Sequence, residues 1–253
     1  LLEGAVRDAQ AVERALREAL DRGEGFSLDY QPIVGVAGGR FRRAEALARW
    51  QAPGLGPVPP DRFIAVAEQA GLIGELGRRL LHLLCDDLAA HPGLAVGVNV
   101  SARQLMAPEF VPDLVALLGA RGLDPARVEV ELTETVAVDD ARLAARRLDE
   151  LHAAGFTVAL DDFGAGYSSV GALRRLPFDT LKIDRAFVAG STASDEGRAL
   201  LDAMIRLGQA LRLAVVCEGV ETTEQMERLR ALGCDLAQGW HVGRPMPVER
   251  LAA

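Results

Sequence analysis

Along most of the chain, short apolar runs alternate with longer segments whose apolar residues recur every three or four positions. Residues Leu1 to Arg22 carry Val6, Val12, Ala15, Leu16 and Leu20 at helical spacing, and Gly23 and Gly25 end that helix. Phe26 to Val36 and Arg40 to Trp50 are strand-like and meet at Gly38-Gly39, which predicts a hairpin. Gln51 to Pro60 is rich in Gly and Pro and is expected to be loop. Helices are then expected at about Pro60–Glu68, Glu75–Ala90, Pro108–Gly122, Asp139–Ala154, Val170–Arg175, Asp195–Arg212 and Thr222–Leu232. Between them lie the apolar runs Leu94–Val100, Val128–Leu132, Phe156–Leu160, Thr180–Ile183, Leu213–Cys217 and Leu236–Trp240, short enough for strands buried on both faces. With the hairpin this makes eight strands. The alternation predicts an α/β fold, a TIM-like (β/α)8 barrel with one early strand antiparallel.

The polar residues inside and after these runs carry the chemistry. Glu45 lies within AEALARW, Asn99 near the end of LAVGVNV, and Glu131 in VEVEL. Asp161 and Asp162 follow FTVAL, Lys182 sits in TLKID, Glu218 follows LAVVC, and Gln238 is in LAQGW. In a barrel the C-terminal strand ends share one face, where active sites of this fold are built. One acidic residue after a strand is ordinarily a helix cap. Five carboxylates at one mouth instead repel by about 4 kcal/mol per pair at 4 Å and an effective dielectric near 20, and either share protons or bind cations. An all-oxygen set without His or Cys selects hard ions, Mg²⁺ or Mn²⁺, with Ca²⁺ sterically acceptable. The adjacent Asp161 and Asp162 suit two ions with one bridging carboxylate, a device used to attack phosphodiesters.

Composition narrows the partners. The 253 residues are 49% apolar and 25% charged with a net charge of -8, which fits a globular core and excludes disorder and coiled coil. The longest stretch without Asp, Glu, Lys or Arg, Leu88 to Ala102, contains Pro92 and Gly93 and is too short to span a bilayer. No membrane contact is expected within the chain, and the acidic balance weighs against a nucleic-acid polymer as partner. The first residue is Leu1, so a piece of a longer protein is expected, with residues 1–22 as a helix or connector from an upstream region and residues 23–253 as one domain. Three dispersed cysteines without C-x-x-C point to a cytoplasmic compartment. The 28 Lys and Arg residues include a single Lys, Lys182, and a position kept as Lys suits a compact ammonium whose pKa can move.

The motifs together resemble the EAL-domain family of cyclic di-GMP phosphodiesterases. EALARW at Glu45, YQPIV at Tyr30, NVSARQL at Asn99, ELTET at Glu131, DDFGAGYSS at Asp161, LKID at Leu181, EGVET at Glu218 and QGW…RPMP at Gln238 follow the family's order, from about Gly25 to Val248. The resemblance implies hydrolysis of cyclic di-GMP to linear pGpG with two Mg²⁺ or Mn²⁺, Ca²⁺ binding without turnover. By position, Glu45, Asn99, Glu131 and Asp161 resemble ligands of the first ion, and Asp161, Asp162 and Glu218 those of the second. Lys182 matches the lysine that orients or activates the attacking water, as a base or as a phosphate clamp, and Gln238 a glutamine near metal-bound water. Glu134 and Glu221 match supporting glutamates, the former holding the loop from Asp162 to Ser169. Arg49 matches a phosphate contact, and Gln31, Leu47 and Pro245 the nucleotide pocket. The family also implies a homodimer and an upstream regulatory domain; the alternative is an inactive cyclic di-GMP receptor module.

Overall fold

The computed structural model describes residues 2–134, 140–164, 173 and 175–251. The hairpin forms as expected: β1 (Phe26–Gly35) runs antiparallel to β2 (Phe41–Ala52) over nearly its whole length. A short β3 (Gly56–Val58) folds back on the far end of β2, inside the segment expected to be loop. β4 (Val96–Asn99), β5 (Val128–Thr133), β6 (Thr157–Phe163), β7 (Thr180–Ile183), β8 (Ala214–Cys217) and β9 (Leu236–Gln238) then follow β2 in parallel, each beside the last. β9 closes the ring by pairing antiparallel with β1. The barrel therefore has eight strands and one reversed member, β1, as the alternation predicts.

Helices cover the outside. They are α1 (Leu2–Arg22), α2 (Pro60–Gln69), α3 (Ile73–Ala90), α4 (Ala102–Met106), α5 (Phe110–Gly119), α6 (Ala141–Ala153), α7 (Arg185–Ala193), α8 (Asp195–Ala210), α9 (Thr223–Ala231) and α10 (Val248–Leu251). Local chemistry sets their starts. Pro60 opens α2, where a missing N–H costs nothing. Ser101 with Gln104, and Thr222 with Gln225, form capping boxes for α4 and α9. Three of these helices escape the periodicity. α4 and α10 are too short to display it, and α7 contains Gly190, Ser191 and Thr192, all weak helix formers. The helix expected at Val170–Arg175 lies largely outside the described residues, as does the start of the one expected at Asp139.

Two apolar cores result. The larger joins the barrel strands to the helices around them. The smaller packs α1, α2 and the start of α3 on the outer end of the hairpin, through Val12, Leu16, Phe26, Trp50, Phe63 and Leu76. Trp50 stacks on Phe26 at 5.8 Å between ring centroids and meets Phe63 edge-on at 5.7 Å. Among the described residues no helix is long and apolar enough to cross a membrane.

Candidate metal centre at the barrel mouth

Strand alternation places the site. Glu129 and Glu131 on β5, Thr180 and Lys182 on β7, and Arg43 and Glu45 on β2 are each two residues apart, so each pair shares a face. That face is the barrel interior, because the pairs meet there in two layers. In the deeper layer Arg43 Nη2 lies 2.7 Å from Glu129 Oε2, and Thr180 Oγ1 donates to Glu129 Oε1 at 2.7 Å. One step toward the C-terminal ends lies Lys182, only 1% exposed. Its Nζ is 2.5 Å from Glu131 Oε2, 2.8 Å from Glu218 Oε1, 3.0 Å from Asp161 Oδ1 and 3.4 Å from Glu45 Oε2. Four strands thus deliver four carboxylates to one ammonium.

Neutral amides hold the outer edge. Asn99 Nδ2 donates to Glu45 Oε1 at 2.7 Å, and Gln238 Nε2 donates to Glu45 Oε2 at 2.7 Å. Gln238 Nε2 also reaches Gln31 Oε1 at 3.2 Å, and Gln31 Nε2 donates to the Gly243 carbonyl at 3.1 Å. This relay pins the segment before Pro245 to β1. Gly239, with φ +152°, is what lets the chain turn beside Gln238, since a Cβ there would sit 2.2 Å from the Val220 backbone.

One ammonium cannot balance four ionised carboxylates, and the proton affinities show it. Burial pushes Glu131 well above the ordinary carboxylate range despite Lys182. Burial also pushes Glu218 up, to about 8, with Lys182 opposing and Asp161 adding to the rise. Asp162 is raised by burial and by its neighbour Asp161. Burial works against Glu45 as well, but Lys182, Gln238 and Asn99 outweigh it and hold that carboxyl below its usual value. Burial would lower Lys182; Glu131 and the other carboxylates keep it well above its usual value, so it stays protonated.

The donors fit divalent cations. Oxygens of Glu45, Glu131 and Asp161 lie within 4.8 Å of one another, and so do those of Asp161, Asp162 and Glu218. Asp161 belongs to both groups, as a bridging ligand would. Glu131 Oε1 and Gln238 Oε1 are buried with no hydrogen-bond partner among the described residues, and such orphaned acceptors are what a cation satisfies. Every donor is oxygen, which suits hard ions.

The remaining expected residues fall as follows. Asp162, with φ +54°, sits at an irregularity between β6 and β7 next to Asp161, whose Oδ1 accepts its N–H at 2.9 Å. Glu134 Oε1 accepts the Gly164 N–H at 3.0 Å; most of the loop from Asp162 to Ser169 lies outside the described residues. Arg49 is engaged with Asp29 Oδ2 at 2.8 Å and the Ala48 carbonyl at 3.1 Å. Glu221 is exposed on the turn into α9, its backbone N–H going to Gln225 Oε1 at 2.7 Å. Leu47 and Asn99 line one side of a largely apolar cavity of about 460 Å³ that runs back between β2, β4, α2 and α3, past Ile64, Glu68 and Ser101. The cavity residues on the helices bear no sequence signal, since they read as ordinary amphipathic positions. The Arg43–Glu129 layer was within reach, because Glu129 lies two residues before Glu131 on a strand.

Fold and site define a closed barrel with an oxygen-lined centre suited to divalent metal. An EAL domain family model matches residues 13–245. The chain is 40% identical over 256 residues to the cyclic di-GMP phosphodiesterase NbdA of Pseudomonas aeruginosa, covering 99% of this chain and 32% of NbdA. It is 39% identical over 243 residues to the bifunctional diguanylate cyclase/cyclic di-GMP phosphodiesterase MucR of the same organism, covering 94% of this chain and 35% of MucR. The solved MucR phosphodiesterase in complex with c-di-GMP matches with a TM-score of 0.88 and 38% identity, over 95% of this chain and 99% of that one. The chain belongs to the EAL domain family. It spans about a third of the length of these two curated relatives.

Proposed function

We propose that this chain hydrolyses one phosphodiester of cyclic di-GMP to linear pGpG. The observation that carries the reading is the convergence of Glu45, Glu131, Asp161 and Glu218 on Lys182, with both groups of cation-ready oxygens intact. Glu45, Asn99, Glu131 and Asp161 would hold one Mg²⁺ or Mn²⁺, and Asp161, Asp162 and Glu218 a second. Two such ions, when bound, offset charge on the phosphoryl oxygens and acidify water far below its bulk pKa.

The protein's own groups do the rest. Lys182, within 2.5–3.4 Å of four of these carboxylates, serves as a donor to water or a phosphate oxygen. Gln238 fixes Glu45 and, through Gln31, the segment that carries Pro245. Arg49, turned from Asp29, offers a fork for the substrate's phosphate. The apolar cavity behind Leu47 takes a guanine base. We assign Glu134 and Glu221 supporting roles and place the reaction in the cytoplasm, in a homodimer. Residues 1–22 enter as a helix that follows a regulatory domain and packs on the barrel flank.

The test is incubation with cyclic di-GMP in Mg²⁺, Mn²⁺, Ca²⁺ or EDTA, with the nucleotides separated by chromatography. Linear pGpG is expected with Mg²⁺ or Mn²⁺ and not with Ca²⁺ or EDTA. Bound dinucleotide with no product in any ion would overturn hydrolysis and make the chain a receptor.

A further inference from the structure

Gly97 is the interior residue of β4 that faces the metal centre from below. It pairs with Glu45 on β2 and with Glu129 on β5, so it sits between two strands that supply carboxylates. Its backbone does not need glycine, because its φ is not in the left-handed region. A glycine inside a strand weakens it and often marks a close approach. Here the approach is by Glu131. A Cβ at Gly97 would lie 1.8 Å from Glu131 Oε1 and 2.7 Å from Glu131 Cδ.

We propose that Gly97 is a positioning residue for Glu131: the hollow it leaves lets that carboxylate lie down in the grip of Lys182, and so sets how tightly the centre takes a divalent cation. The inference rests on the metal reading above. In the Lys182-bound pose one oxygen, Oε2, is committed to the ammonium at 2.5 Å. The other, Oε1, is turned into the hollow, buried and without a hydrogen-bond partner among the described residues. In that pose the carboxylate is within reach of a cation shared with Glu45 and Asp161, but the cation must compete with Lys182 for it. Binding has to draw it from Lys182, and the share of molecules resting in the Lys182-bound pose lowers the apparent affinity. A methyl group at position 97 fills the hollow and excludes that resting pose while leaving the backbone undisturbed.

Mn²⁺ titration of the substrate-free protein, with free Mn²⁺ counted by paramagnetic resonance, tests this. Gly97→Ala is expected to bind Mn²⁺ about fivefold more tightly than wild type, since the competing pose is gone. In EDTA its thermal midpoint is expected to fall, whereas a plain strand glycine replaced by alanine would raise it. Both effects should vanish in the Glu131→Ala background. Unchanged or weaker Mn²⁺ binding by Gly97→Ala, or effects that persist without the Glu131 side chain, overturn the proposal. A Gly97→Ala chain that does not fold in EDTA, while Gly97→Ala/Glu131→Ala does, supports it; failure of both overturns it. Wild-type protein that takes up no Mn²⁺ at all sinks the metal reading itself, and the role of Gly97 with it.

Discussion

Lys182 Nζ lies 2.5 Å from Glu131 Oε2, and both side chains are almost wholly withdrawn from solvent. The ammonium stands where a cation would, at the meeting point of four strands. Replacing Lys182 by Met leaves those carboxylates without their shared counter-charge. Breaking a buried ion pair costs about 3–5 kcal/mol, and Lys182→Met is expected to lose that much in cation-free buffer. Mn²⁺ should restore more stability to the variant than it adds to wild type. Urea unfolding with and without Mn²⁺ measures both, and equal gains would contradict this account.

Glu218 gives the centre a pH dependence. Its carboxyl, raised by burial to about 8, keeps a proton in the folded chain that the unfolded chain has already lost. Between the ordinary glutamate pKa and about 8 the folded state therefore binds the extra proton, and stability from this group falls as pH rises. The cation-free thermal midpoint should drop across that window, and Glu218→Gln should flatten the drop. Mn²⁺ affinity should move the opposite way and climb toward pH 8, because the ion displaces the proton.

Gln238 holds Glu45 and Gln31 at once. Losing a group that orients a metal ligand typically costs 10–100-fold in affinity or activity. Gln238→Ala should lower kcat/KM for cyclic di-GMP by about that factor while the thermal midpoint barely moves. A large loss of stability with intact turnover per folded molecule would remove Gln238 from the site.

Trp50 makes the contrasting case. It is next to Arg49 in sequence but packs between Phe26 and Phe63 in the smaller core. Trp50→Ala should cost about 3–5 kcal/mol in denaturant unfolding. Mn²⁺ affinity of the folded fraction should stay unchanged, since no cluster carboxylate touches the ring.

Most barrel strands were legible because buried parallel strands are nearly continuous apolar runs, and LAVVC or FTVAL has few other uses in a globular chain. The cluster was legible because strand ends share a face, so Glu45, Glu131, Asp161, Lys182 and Glu218 could be gathered from spacing alone. What spacing lacks is side-chain direction. Nothing in the string reveals that Arg49 turns to Asp29, or that Gly97 makes room for Glu131. β3 was lost among Gly54, Gly56 and Pro57 because its three residues answer to the pairing offered by β2, not to their own propensity. Helix α7 was hidden by weak helix formers, and is held by the Asp184 cap and by packing against α8 and α9.

The reversed first strand also decides where the ring is thinnest. β1 and β2 pair over nine positions within one hairpin, whereas β9 meets β1 over three and β8 over two. β9 is thus a short stave whose closing neighbour, β1, lies near the other end of the chain. Sub-global opening of a folded chain begins where few backbone bonds must break, so amide exchange should run fastest along this seam. Gln238 lies on that stave. The residue that steadies Glu45 is then carried by the part of the barrel that breathes first, and the lifetime of an assembled centre becomes a property of the seam.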